Sequence, residues 1–179
     1  KTRNVRHYAQ GDINFLLNME PAGHPADFRG AHGPSASAMA FRVKDAKRAF
    51  DLAVGRGATP VEGEFDLPAI EGIGGSYLYL VDRPFTRDDF QAVPGAEAGS
   101  KAAGLHTLDH LTHNVNRGRM DYWAQFYERI FNFRQIRYFD IEGQQTALVS
   151  RAMTAPDDKI RIPLNESQDE HSQIEEFLR

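Results

Sequence analysis

The chain has 179 residues, 41% hydrophobic and 26% charged, with a formal net charge of −4; these are ordinary values for a globular protein and lack the basic excess that nucleic acid or an anionic membrane surface selects. It contains no cysteine, which excludes disulfides, iron–sulfur clusters and thiolate-bound zinc and fits a reducing, cytoplasmic setting. No segment approaches the roughly 20 apolar residues of a membrane-spanning helix.

Taken in order, residues 4–10 and 12–18 are two expected strands around Gly11, a hairpin. Residues 19–34, rich in Pro, Gly, Ala and His, are expected to form a loop. A strand at 35–43 leads into a helix capped by Asp45 and closed by Gly57, with Ala46, Ala49, Phe50, Ala53 and Val54 at helical spacing. Short strands follow at 59–61, 69–73 and 76–81, and Gly72-Ile73-Gly74-Gly75 is a turn with no helix behind it to receive a phosphate. Residues 83–101 have the composition of a linker. The same order then returns: a strand at 105–115, a helix at 120–131 with Trp123, Phe126, Tyr127, Ile130 and Phe131 on one stripe, and strands at 134–141, 145–152 and 159–164. The fold class is therefore α+β, built from repeated βαβββ units, with the opening hairpin as the tail of an earlier unit. The chain opens on Lys1-Thr2-Arg3 and stops within the start of a helix at 172–179, so a part of a longer polypeptide is expected.

Leu108-Asp109-His110-Leu111-Thr112-His113-Asn114-Val115 is the sharpest local feature. On a strand His110, Thr112 and Asn114 face one way and Asp109, Leu111, His113 and Val115 the other, so one histidine alone enters a given pocket. Ser150, Asn165 and Gln173 are polar residues late in the chain, each explicable as a turn or capping residue; Asn165, at the expected end of an apolar strand, is best placed to offer an amide to a ligand. The aromatic stripe is core packing. Asp157-Asp158 suits a turn, Glu175-Glu176 a solvated helix face, and the remaining histidines show no ligand spacing. Residue pattern alone goes no further than this.

Several runs then resemble bacterial 4-hydroxyphenylpyruvate dioxygenases. They are His110-Leu111-Thr112-His113-Asn114-Val115-Asn116-Arg117-Gly118-Arg119-Met120, Tyr122-Trp123-Ala124-Gln125-Phe126-Tyr127-Glu128, Ile160-Arg161-Ile162-Pro163-Leu164-Asn165-Glu166 and Ser172-Gln173-Ile174-Glu175-Glu176-Phe177-Leu178. Upstream, Gln10-Gly11-Asp12-Ile13-Asn14-Phe15 and Leu67-Pro68-Ala69-Ile70-Glu71-Gly72 match the N-terminal part of the same family, which belongs to the vicinal oxygen chelate (glyoxalase-like) superfamily. The resemblance implies an N-terminal domain at 1–90 whose start is missing, a linker at 91–104 and the first half of a catalytic domain at 105–179. It implies a cytoplasmic, homo-oligomeric Fe(II) enzyme of tyrosine catabolism that turns an aromatic 2-oxo acid, 4-hydroxyphenylpyruvate, and O2 into homogentisate and CO2.

Carried over by position, His110 is the first iron ligand, and Ser150, Asn165 and Gln173 line the substrate pocket. The second histidine, the glutamate ligand and a C-terminal gating helix would follow Gln173 and are absent from this chain, and the stretches at 62–65 and 83–89 are shorter than the family's. The chain as it stands is therefore expected to hold iron poorly and to be inactive. Two alternatives stand beside this reading: a 4-hydroxymandelate synthase-like dioxygenase, and a truncated, non-catalytic binding or dimerising module.

Overall fold

The computed structural model describes residues 4–85, 89–95, 103–142 and 147–178. A hairpin of β1 (Val5–Gln10) and β2 (Ile13–Asn18) leads into helix α1 (His24–His32). The first βαβββ unit is β3 (Ala38–Arg42), α2 (Ala46–Gly55), β4 (Pro60–Val61), β5 (Ala69–Glu71) and β6 (Tyr77–Val81). The second is β7 (His113–Val115), α3 (Met120–Phe131), β8 (Arg134–Glu142), β9 (Ala147–Thr154) and β10 (Arg161–Ser167), followed by α4 (Gln173–Leu178).

The two units have one topology. Their sheets run β3-β6-β5-β4 and β7-β10-β9-β8, with the first and last strands of each unit parallel and the other pairs antiparallel. The succession of antiparallel pair and short helix also occurs twice, as β1–β2–α1 and as β9–β10–α4.

Local chemistry accounts for most of the elements. Asp45 caps α2 by accepting the Arg48 backbone N–H at 2.8 Å, and Gly57 follows the helix at φ 91°. The apolar stripe of α3 is driven into the sheet, leaving Ala124, Phe126, Tyr127 and Ile130 buried against Met153, Ile162 and Leu164. Asn132 ends the helix in the left-handed region at φ 56°. The core is continuous across the units: Phe41 meets Phe131 edge to face at 5.2 Å, Arg56 Nη1 donates to the Ile130 carbonyl at 2.9 Å, and Arg129 Nε donates to the Arg56 carbonyl at 3.0 Å.

Three expectations are corrected. The expected loop at 19–34 contains α1, which buries no residue and so shows no apolar periodicity; Pro25 and Asp27 in its first turn and Gly33 at its end (φ 71°) define it. The expected strand at 105–115 pairs only over β7, which among the described residues lies beside β10 at the sheet edge; before it, the Leu111 N–H reaches the Arg161 carbonyl at 3.4 Å. The last strand runs to Ser167, so Asn165 stands inside the ladder rather than at its end. No helix of the described residues is long and apolar enough to cross a membrane.

Candidate functional site

Asn165 of β10 pairs with Ser150 of β9 on one side and with Asn114 of β7 on the other. Directly opposed residues project from the same face of a sheet, so these side chains form one polar row across three strands. The neighbouring row, His113, Leu164 and Arg151, faces the other way: Leu164 is buried beneath α3, and Arg151 Nη2 donates to Asp121 Oδ1 of that helix at 2.7 Å. The polar row therefore looks away from α3. Ser150 is 8% exposed, and Asn165 and Asn114 are half-buried.

The matching face of the first unit is different. There Tyr77 and Tyr79 project beside Ala38 and Ala40, and His24 of α1 stacks on Tyr77 at 3.4 Å while its Nε2 engages the Gly75 carbonyl at 2.8 Å. Tyr79 Oη accepts the Glu64 backbone N–H, and a Cβ on Gly63 would lie 2.8 Å from the Tyr79 ring. Aromatic rings occupy that face, whereas the second unit presents amides and a hydroxyl.

Gln173 opens α4, which packs on β10 and β7; its side chain is exposed. Ser172, one residue earlier, fastens the helix start: its Oγ lies 2.5 Å from Ser167 Oγ and accepts the Glu175 N–H at 3.2 Å. No hydrogen bond among the described residues joins Ser150, Asn165 and Gln173 to one another. Glu175, expected on a solvated face, has its Oε1 buried and without a hydrogen-bond partner among the described residues.

His110 precedes β7, with its side chain 51% exposed. Its Nδ1 donates to Asp109 Oδ2 at 2.7 Å, and Arg161 Nη1 donates to Asp109 Oδ1 at 2.9 Å. The hydrogen bond from His110, and then the Arg161 charge, hold the Asp109 carboxyl below its ordinary range. The Leu111 N–H on the Arg161 carbonyl brings this segment beside the start of β10, four residues before Asn165; residues 103–112 form no strand, so the expected alternation of Asp109 and His110 across a strand gives way to a contact between their side chains.

His113 lies on the other face, 3.5 Å from the Tyr127 hydroxyl, and burial pushes its pKa down to about 4. Burial likewise drives the Tyr127 hydroxyl far above its ordinary value. His113 is thus a neutral core histidine packed under α3. The donor set fits a metal at one position: the contact to Asp109 leaves His110 Nε2 without a hydrogen-bond partner among the described residues, as a ligating nitrogen requires. It goes no further, because no group of three or more His, Asp or Glu among the described residues could hold an ion.

Sequence reasoning placed Asn114 on the His110 face but did not single it out, and it missed Glu166. The Glu166 carboxylate accepts the Met120 and Arg119 backbone N–H groups at the start of α3. An acidic residue in a strand carries no local signal that it will cap a helix 46 residues earlier. A separate cavity of about 260 Å³, lined by Thr59, Glu71, Arg119, Tyr122 and Trp123 among others, opens on the α3 side and shares no residue with the polar row.

Paired βαβββ units with a polar sheet face define the class, and residues 107–177 match the Glyoxalase/Bleomycin resistance protein/Dioxygenase superfamily. Residues 1–93, more than half of the chain, match the family described as Hydroxyphenylpyruvate dioxygenase, HPPD, N-terminal, and the chain belongs to that family. It is 55% identical to a 4-hydroxyphenylpyruvate dioxygenase of Pseudomonas aeruginosa over 188 aligned residues, which cover 100% of this chain and 53% of that protein. A second 4-hydroxyphenylpyruvate dioxygenase, from Pseudomonas sp., is 51% identical over 99% of this chain and 53% of its own length. The chain thus spans about half the length of these relatives. A mutant 4-hydroxymandelate synthase from Streptomyces coelicolor shares the fold, with a TM-score of 0.81 and 24% identity over 97% of this chain and 54% of that one.

Proposed function

We propose that residues 1–90, a linker at 91–104 and residues 105–179 form the N-terminal domain and the first half of the catalytic domain of an Fe(II)-dependent dioxygenase converting 4-hydroxyphenylpyruvate and O2 to homogentisate and CO2. The observation that carries this is the row Asn114–Asn165–Ser150, on a ladder whose β10 also carries Arg161, the residue that shares Asp109 with His110, in a chain of this family. Within it His110 contributes one imidazole ligand, and the second histidine and the glutamate come from residues outside these 179. Iron, when bound by that set, supplies the oxygen chemistry.

The chain's own part is binding and orientation. Asn165 and Ser150 would offer donors and acceptors from the ladder to a polar substrate, and Gln173 would add its amide from the start of α4, the helix packed on β10 and β7. The sheet would shield one side of the substrate from water, with the α3 core packed against its other face. The setting proposed is a cytoplasmic homo-oligomer acting in tyrosine catabolism.

Oxygen uptake by the purified protein with Fe(II), ascorbate and 4-hydroxyphenylpyruvate tests the reading, with product identification and His110→Ala alongside. Homogentisate formation that the variant abolishes supports it. 4-Hydroxymandelate as product assigns the synthase reaction instead. Uptake untouched by His110→Ala removes His110 from the ligand set, and no uptake from the 179-residue chain leaves the family assignment standing and makes this chain inactive by itself.

A further inference from the structure

We propose that Asp109, itself held by Arg161, is a positioning residue that fixes His110 as the Nδ1–H tautomer and so presents Nε2 outward as its lone-pair nitrogen; this rests on the reading of His110 as a ligand. A carboxylate can only accept, so the 2.7 Å contact of His110 Nδ1 with Asp109 Oδ2 places the proton on Nδ1. A neutral imidazole with that proton placement has its free lone pair on Nε2.

Backbone regularity cannot orient this ring. Residues 103–112 form no strand, and half of the His110 side chain is open to solvent. The tie to the sheet is made by Arg161, which grips the same carboxylate through its other oxygen at 2.9 Å and receives the Leu111 N–H on its carbonyl at 3.4 Å. Arg161 is the first residue of β10, the strand that carries Asn165. The ring of His110 is thereby referred to the same ladder as the polar row, rather than to its own irregular segment. Carboxylate partners of this kind orient ligand histidines and raise their basicity in metal sites generally.

Nitrogen-15 NMR of the imidazole rings of the 179-residue chain, recorded well above the imidazole pKa, tests the proposal. The His110 signal is assigned among the seven histidines by its loss in His110→Ala. The wild type is expected to show predominantly the Nδ1–H pattern. Asp109→Ala is expected to shift the tautomer ratio about fivefold toward Nε2–H, as loss of one hydrogen bond requires. Asp109→Glu is expected to restore the Nδ1–H form, and Arg161→Gln to give an intermediate ratio. A wild type already dominated by Nε2–H, or a ratio unmoved in Asp109→Ala with an unchanged amide spectrum, overturns it. Either result leaves the ligand role of His110 to the oxygen-uptake assay, so the two readings fail separately.

Discussion

Glu166 Oε2 accepts the backbone N–H of Met120 at 2.8 Å, joining the last third of β10 to the first turn of α3. The same carboxylate takes the Arg119 N–H at 3.1 Å, so it satisfies two of the N–H groups that a helix start leaves open and places negative charge at the positive end of the helix. Because successive strand residues alternate faces, holding Glu166 toward α3 turns Asn165 toward the polar row.

Removing that carboxylate should cost stability. Glu166→Ala is expected to lower the unfolding free energy by about 1–2 kcal/mol, and Glu166→Gln by about half as much. The drop in Tm, roughly 2–4 °C per kcal/mol for a chain of this size, is the readout. An unchanged Tm in Glu166→Ala would mean that the cap contributes nothing.

Acid should weaken the fold through His113. Its folded pKa of about 4 lies below the ordinary imidazole value of 6.5, so the unfolded chain binds the proton first as pH falls. Stability from this group is complete above about 6.5 and is lost progressively down to about 4, by at most about 3 kcal/mol. Urea unfolding at pH 7.5 and 4.5 is expected to show a smaller loss in His113→Leu than in the wild type.

The polar row should matter for ligand and not for folding. Asn114→Ala and Asn165→Ala are each expected to move Tm by less than about 2 °C while weakening binding of 4-hydroxyphenylpyruvate about tenfold, the worth of one hydrogen bond to a charged or strongly polar group. Calorimetric titration checks the affinity. Equal losses of Tm and affinity would assign the row to the fold instead.

The joint between the units should be cooperative. Phe131 touches Phe41, Phe126, Tyr127 and Phe133, and two hydrogen bonds cross the same seam, from Arg56 to the Ile130 carbonyl and from Arg129 to the Arg56 carbonyl. Phe131→Ala is expected to cost about 3 kcal/mol and to broaden or split the thermal transition. A single sharp transition with an unshifted midpoint would show that the seam does not couple the units.

Much of this was legible in the residues. The twofold βαβββ order followed from helical spacing in 46–54 and 120–131 and from turn residues between short strands, because local periodicity and punctuation act over a few residues. Helix α1 was not legible, since a helix that buries nothing leaves no stripe. Glu175 reads as a surface charge, yet its Oε1 is buried.

Residue order by itself determined the α2 cap at Asp45 and the apolar face of α3, each a matter of neighbours along the chain. Tertiary structure alone decided that Asn165 stands between Asn114 and Ser150, that Asp109 is shared by His110 and Arg161, and that Glu166 closes α3. Apart from the contact between neighbours Asp109 and His110, those relations join residues 15 to 52 positions apart, and they exist only once hydrogen-bond register between strands is set by burying one face of the sheet under α3.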